Sequence, residues 1–379
     1  MPQLPPATPG DRLADVDTPA LIVDLDAFER NLGRMADAVA MAGVRLRPHA
    51  KMHKSPIIGL KQIALGAVGV CCQKVSEAEV MVQGGIGDVL VSNEVVGSRK
   101  LARLAALARQ ARIAVVVDDE AMIDALAAAA ATAGVTVGVL VEIDVGANRC
   151  GVAPGPAAVR LAQRIAGEAS LRFDGLQAYH GRAQHLRSAE ERRAAIASVC
   201  VDVRHTKAAL AEAGLACPTV TGAGTGTFEL EAASGVFDEL QAGSYCFMDA
   251  DYARNRKSDG TFFNTFEHAL FVSATVMSTP RPERAVLDAG LKALAFDSGP
   301  PETVGIAGAV YERPSDEHGC LDVTTCNARP KLGDKILLIP GHCDPTVNLH
   351  DWYVGVRGLA SSQPRVECVW PVAARGALF

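Results

Sequence analysis

Residues Ile113 to Asp144 read IAVVVDDEAMIDALAAAAATAGVTVGVLVEID, and this stretch decides the fold. Ile113–Asp118 is a short β-branched run with the pattern of a buried strand. Asp119–Ala131 is alanine-rich and helical, Gly134 supplies the turn that ends it, and Val139–Asp144 is a second strand. Strand, helix and strand in that order make a βαβ unit. Outward from it, the same alternation recurs with a period of roughly 20–30 residues. Strands are predicted at Val44–His49, Val68–Gln73, Asp88–Ser92, Ile113–Asp118, Val139–Asp144, Phe173–Tyr179, Pro218–Gly222 and Glu239–Phe247. Helical patterns fall between them, among them Ser98–Gln110, Ala157–Ala169 and the long, charged Ala189–Ala213. Eight strands with intervening crossovers is the count of an α/β fold of the (β/α)8 TIM-barrel type. Glycine turns at Gly66, Gly84-Gly85, Gly134 and Gly214 favour it over an open doubly wound sheet.

The flanks have a different texture. Ala20–Leu25 is a strand, followed by the amphipathic helix Asp26–Ala42. After about Phe266, short strands separated by Gly, Pro and Asp turns appear at Leu270–Val276, Ala285–Leu287, Lys335–Ile339, Trp352–Val356 and Val366–Trp370. The predicted division is a barrel over residues 26–265 and a β-rich second domain made of residues 1–25 together with 266–379.

Composition narrows the function. The chain has 379 residues, 49% hydrophobic content and a net charge of −6, with a pI near 5.9 and a mean hydropathy of +0.15. Such a chain is an ordered globular protein with no electrostatic footprint for nucleic acid. The uncharged window Ala125–Val141 divides at Gly134 into helix and strand, so it is not a membrane span. No basic region followed by an apolar stretch opens the sequence, and the ten cysteines contain no CxxC pair. Reduced thiols in a cytoplasmic protein are expected.

In an α/β barrel the chemistry sits where strands end. Five polar clusters fall at such ends: Lys51, Asp144–Arg149, Tyr179–His185, Gly222–Gly226 and Gly243-Ser-Tyr245, the last within the eighth strand. Thr221-Gly-Ala-Gly-Thr-Gly-Thr227 has the composition of a phosphate cradle and follows the seventh strand, where barrel phosphate sites recur. A flexible turn has the same composition. Lys51, flanked by His49 and His53, is placed where its pKa can be depressed, as imine chemistry favours, whereas Lys54 reads as a solvated lysine. His342 and Asp344, between Pro340 and Pro345, read as an extended stretch with both side chains on one side and Cys343 on the other. That pair suits a divalent cation with several open positions, Mn²⁺ or Mg²⁺ before a closed zinc site; a surface turn is the plainer alternative. His180 and His185 compete for the role of general base, and at least one is expected to be structural.

These motifs resemble the D-threonine aldolases, pyridoxal-phosphate enzymes of the alanine-racemase-like fold. The likeness runs from Asp17-Thr-Pro-Ala20 to Trp370-Pro-Val-Ala-Ala-Arg375. It is carried by Arg47-Pro-His-Ala-Lys51, Cys71-Cys-Gln-Lys-Val-Ser-Glu-Ala78, Glu142-Ile-Asp-Val-Gly146, Arg149-Cys-Gly-Val152, Gln177-Ala-Tyr-His-Gly181, Glu239-Leu-Gln-Ala-Gly-Ser-Tyr245, Asp288-Ala-Gly-Leu-Lys292 and His342-Cys-Asp-Pro-Thr346. The resemblance implies that Lys51 carries the pyridoxal phosphate and that Gly222, Gly224, Thr225, Gly226 and Tyr245 hold its phosphate. It implies that Arg149 faces the pyridine nitrogen, that Tyr179 lies near the cofactor, and that His342 and Asp344 bind the metal. It makes His185 the catalytic histidine and the protein a homodimer with the active site near the subunit contact. Two positions depart from the pattern. Arg182 stands where a small residue is usual, and Ala223 replaces a glycine, which is tolerable if its φ is negative.

The expected reaction is retro-aldol cleavage of a D-3-hydroxy-amino acid to glycine and an aldehyde. The stretch from Gly341 to Val354 also resembles the β-hydroxyaspartate aldolases, and Arg182 is suited to pair with a distal carboxylate. Rival readings on this fold are a D-serine or 3-hydroxyaspartate dehydratase, a racemase, and a non-enzymatic pyridoxal-phosphate carrier. The dehydratases carry H-x-C where this sequence has His342-x-Asp344, and a carrier would lack the β-domain.

Overall fold

Barrel strands must be apolar on both faces, because helices cover one side and the barrel interior the other. The chain obeys this most fully at Arg112–Val117 and Val137–Glu142, where only the first residue of the former is exposed. The structure, a computed structural model, describes residues 4–379. Its first strand, β1, spans Ala20–Asp24. The barrel strands follow as β2 (Arg45–Leu46), β3 (Val70–Cys72), β4 (Asp88–Glu94), β5 (Arg112–Val117), β6 (Val137–Glu142), β7 (Leu171–Ala178), β8 (Val220–Gly222) and β9 (Glu239–Leu240). All run parallel in the order β2-β9-β8-β7-β6-β5-β4-β3. The ends of that row meet where Cys71 N donates to Pro48 O (2.9 Å) and Ala50 N to Cys71 O (2.7 Å). Eight parallel strands therefore close on themselves just before Lys51.

Helices between the strands start and stop on local signals. Asp119 caps Glu120–Ala133, its carboxylate accepting from Ala121 N, and Gly134 ends the helix at φ 67°. Ser188 and Glu191 form a capping box on the 24-residue helix Ala189–Glu212. No helix among the described residues is long and apolar enough to cross a membrane.

The remaining strands are β10 (Leu270–Arg281), β11 (Arg284–Leu287), β12 (Glu302–Thr303), β13 (Val310–Pro314), β14 (Gly319–Asp322), β15 (Lys335–Ile339), β16 (Trp352–Arg357) and β17 (Arg365–Pro371). They form a second sheet ordered β13-β14-β11-β10-β1-β16-β17, with β15 on β10 and β12 on β15. Inside it β1 lies antiparallel to β10 and parallel to β16. An apolar core continuous with that of the barrel joins the two sheets. Phe28 meets Phe247 at 5.8 Å, Phe247 meets Tyr353 at 5.6 Å, and the Tyr353 hydroxyl donates to His53 O at 2.6 Å. Each tilted aromatic pair adds roughly 0.5–1.5 kcal/mol beyond its buried area.

Two local expectations change. The eighth barrel strand stops at Leu240, so Gly243-Ser-Tyr245 lies beyond it, at the start of a 3₁₀ turn spanning Ser244–Cys246. Gly243 packs so closely on His49 that a Cβ there would come within 2.8 Å of His49 O. Lys54 is not a solvated lysine. It is 5% exposed, has φ 50°, and its ammonium donates to Glu77 at 2.6 Å, so burial of each charge is offset by the other.

Candidate active site

The C-terminal ends of the barrel strands open into a cleft of about 580 Å³ that reaches the β-domain. Lys51, just past the closure of the barrel, projects into it and bonds the Asp344 carboxylate, which arrives from the segment after β15. Burial alone would lower the Lys51 pKa, but Asp344 more than offsets this and holds it above the ordinary lysine value. The expected depression by neighbouring histidines is thus overturned. Asp344 itself is brought down to about 2 by Lys51 and His342 against the opposing effect of burial. His49 stays neutral, since burial and the Lys51 charge keep its pKa well below the usual value.

His342 and Asp344 do not lie on extended chain. Cys343–Val347 is a short helical turn with His342 at its N-cap, and Thr346 Oγ1 donates to His342 O at 2.8 Å. The turn still brings His342 Nε2 to 3.8 Å from Asp344 Oδ1, with Cys343 fully buried. Asp297, which the sequence did not point to, sits 2.6 Å from His342 Nδ1. A carboxylate there fixes the tautomer with Nδ1–H donating, which leaves Nε2 free for a metal. Donor atoms 3.8 Å apart fit one cation bound at roughly 2.1 Å from each. The pair is docked on the barrel: Cys343 N donates to Asp249 Oδ2, Ala250 N to Pro340 O and Asp251 N to Gly341 O.

On the barrel rim, the turn after β7 carries Tyr179 and His185. His185 Nδ1 is 2.7 Å from Asp251 Oδ2, and Arg187 bonds the other oxygen of the same carboxylate. Burial would raise the Asp251 pKa, yet these two partners hold it at about 2. His185 therefore faces the cleft with its second nitrogen, oriented by an ionised carboxylate. His180 has a structural job, for its Nδ1 accepts from Ala183 N at 3.3 Å and caps the 3₁₀ turn.

Arg149 lines the cleft with its guanidinium 5.7 Å from the Tyr179 ring centre and 3.7 Å from Glu142 Oε1. Neither Asp144 nor Glu142 lines the cleft; Asp144 accepts from Gly146 N and Asn148 N at 3.0 Å. Arg182 also lines the cleft, exposed and without an ion pair among the described residues.

The glycine turn after β8 is narrower as a ligand site than its composition implied. Ala223, Gly224 and Thr225 line the cleft, and the Thr225 hydroxyl is buried with no hydrogen-bond partner among the described residues. An orphaned donor in a turn of this kind fits a phosphate oxygen. Gly222 ends β8, packed so that a Cβ would lie 2.2 Å from Ala178 O, and Gly226 N already donates to Gln184 Oε1 at 2.9 Å. Tyr245 does not face the cleft: it is 1% exposed, and its hydroxyl accepts from Gln62 Nε2 at 3.1 Å. Its place in the turn after β9 aims the ring at Phe266 instead. Ala223 has φ 71°, so the condition of a negative φ is not met and its left-handed backbone costs roughly 1 kcal/mol relative to glycine.

A barrel with a strand-end lysine, an orphaned turn hydroxyl and a β-domain belongs to one structural class. Residues 23–251 match the alanine racemase N-terminal domain, and residues 269–356 match a serine dehydratase domain. Within that class the likeness is specific. The chain is 50% identical to a D-threonine aldolase of an Arthrobacter species over 98% of this chain and 96% of that protein. It is 48% identical to a 3-hydroxy-D-aspartate aldolase of Paracoccus denitrificans over 98% and 95%. The solved D-threonine aldolase of Filomicrobium marinum is 57% identical, superposes with a TM-score of 0.96 and covers 99% of this chain and 100% of its own. The chain belongs to the D-threonine aldolase family, with the related 3-hydroxy-D-aspartate aldolases, and is a carbon–carbon lyase of the aldehyde-lyase type.

Proposed function

We propose that the protein cleaves D-3-hydroxy-amino acids to glycine and an aldehyde, using pyridoxal phosphate and a divalent cation, Mn²⁺ or Mg²⁺. The observation that carries this reading is the convergence of Lys51, Asp344 and His185 on one cleft, with His342 beside Asp344 and Asp251 behind His185. Lys51 and the Ala223–Thr225 turn would hold pyridoxal phosphate, with Arg149 and Tyr179 lining the same cleft, and the cofactor would supply an electron sink for cleavage of the carbon–carbon bond. His342 and Asp344 would hold the cation, which would acidify the substrate β-hydroxyl.

The chain's own groups do the rest. His185 Nε2 takes the β-hydroxyl proton, while Asp251 keeps Nδ1 protonated and the ring aimed into the cleft. The Arg149 guanidinium on the cleft would disfavour a proton on a cofactor ring nitrogen placed against it. Asp297 holds His342 for its ligand role. The reading includes a homodimer with the site near the subunit contact, and a cytoplasmic setting in keeping with ten free cysteines.

A panel of D-3-hydroxy-amino acids assayed with and without chelator tests the reaction. Glycine and an aldehyde are expected, with activity lost on chelation; ammonia and an oxo-acid would point to a dehydratase instead. The substrate within this class follows from Arg182, whose unpaired guanidinium on the cleft is suited to the distal carboxylate of 3-hydroxyaspartate. Arg182→Ala should lower kcat/KM for 3-hydroxyaspartate about tenfold relative to D-threonine. An unchanged ratio removes Arg182 from substrate recognition.

A further inference from the structure

Beneath Arg149, three neighbouring barrel strands bring acids together. Glu94 ends β4, Asp118 follows β5, Glu142 ends β6, and Cys150 descends from the loop that carries Arg149. One ligand atom each from Glu94, Asp118 and Cys150 lie within 4.8 Å of one another. Glu142, 3% exposed, stands beside them: Glu94 is the strongest charge acting on it, and Asp118 acts on it too. One oxygen of Glu142, Oε2, is buried with no donor to pair it among the described residues, and so is Glu94 Oε1, the two carboxyls lying within hydrogen-bonding reach of each other. The facing guanidinium of Arg149 stands 3.7 Å from the other Glu142 oxygen.

Glu142 is buried while Glu94, Asp118 and Cys150 are half-buried, so a cation held among them would offset the charge gathered beside Glu142. Protons would leave the thiol without a function. Its pKa is pushed up to about 11, by burial first and then by Glu94, so it is no free nucleophile. A borderline-soft cation takes thiolate and carboxylates together. Tetrahedral zinc would draw these donor atoms in to roughly 3.5 Å apart.

We propose that Glu94, Asp118 and Cys150, with the unpartnered oxygen of Glu142 on the inner side, bind a divalent cation of the Zn²⁺ type, separately from the His342–Asp344 pair. Binding releases the Cys150 proton and any proton on Glu142; no electron moves. Gly151 N already ties the loop to Asp118 Oδ2 at 3.0 Å. A cation on Cys150 adds a second tie, next to Arg149, and so fixes the residue that overhangs the cleft.

The test uses full-length protein carrying His342→Ala and Asp344→Ala, stripped with chelator and titrated with Co²⁺, then displaced with Zn²⁺. One equivalent should bind with a thiolate-to-cobalt charge-transfer absorption and with proton release. Cys150→Ser should abolish the absorption, and Glu94→Gln should weaken binding at least about tenfold. Absence of the band, or its survival in Cys150→Ser, overturns the proposal and leaves a shared proton in place of a cation. Circular dichroism checks that each variant is folded; should Cys150→Ser fail that check, unchanged affinity in Glu94→Gln overturns the proposal by itself. None of these outcomes depends on which substrate is cleaved.

Discussion

The two sides of the cleft are built differently. On the barrel side, Lys51, Arg149, Tyr179 and His185 follow strands whose parallel ladder fixes their backbone. On the β-domain side, His342 and Asp344 sit on a five-residue helical turn whose position depends on contacts across the domains, chiefly Cys343 N to Asp249 and Asp344 to Lys51. Each side also holds a histidine against a carboxylate: His185 on Asp251, His342 on Asp297. In the proposed reaction the same pairing serves different ends, since one leaves a nitrogen for a proton and the other leaves a nitrogen for a metal. Side-chain type alone does not distinguish these roles; what lies opposite the free nitrogen does.

The largest effect should come from the barrel side. His185→Ala should lower kcat by about a hundredfold to a thousandfold while bound metal and cofactor absorbance stay as in the wild type. Metal loss in that variant would erase the distinction between the two histidines. Asp297→Asn should weaken metal affinity by about 10–100-fold, and excess metal should restore activity. A defect that excess metal leaves untouched would move Asp297 out of the metal's surroundings.

The smallest effect concerns the support behind the glycine turn. Glu231, 2% exposed, accepts from Thr227 Oγ1 at 2.8 Å, and Gln184 Nε2 donates to the same hydroxyl at 2.8 Å. Burial pushes the Glu231 pKa up to about 8, against the Thr227 hydrogen bond. The folded state then binds a proton that the unfolded chain has lost, so stability falls as pH rises from the ordinary glutamate value to about 8. Glu231→Gln should remove that slope and raise Tm at pH 8 by about 2–4 °C relative to the wild type. An equal Tm difference at pH 5 and pH 8 would show that the carboxyl does not titrate there.

Much of the barrel was legible because parallel strands are apolar on both faces and glycine ends the helices between them; Ile113–Asp118 and Val139–Asp144 were placed to within a few residues. Strand ends were legible for the same reason, and with them Lys51, Arg149 and His185 as residues of one cleft. The misplaced details share a cause. The strand position of Tyr245, the solvation of Lys54 and the extended form of the His342–Asp344 stretch were read from local pattern, while their conformations answer to distant partners: Gln62 and Phe266 for Tyr245, Glu77 for Lys54, Asp249 for the turn at Cys343.

By itself the sequence determined the order of elements, the α/β class, the family motifs and the placing of Lys51 at a strand end, because periodicity and turn chemistry act over a few neighbouring residues. Only the tertiary structure decided which carboxylate serves which histidine, that the Lys51 ammonium rests on Asp344, and that Glu94, Asp118, Glu142 and Cys150 meet under Arg149. Charges separated by tens to hundreds of residues interact through space, and their partners are chosen by the folded path of the chain.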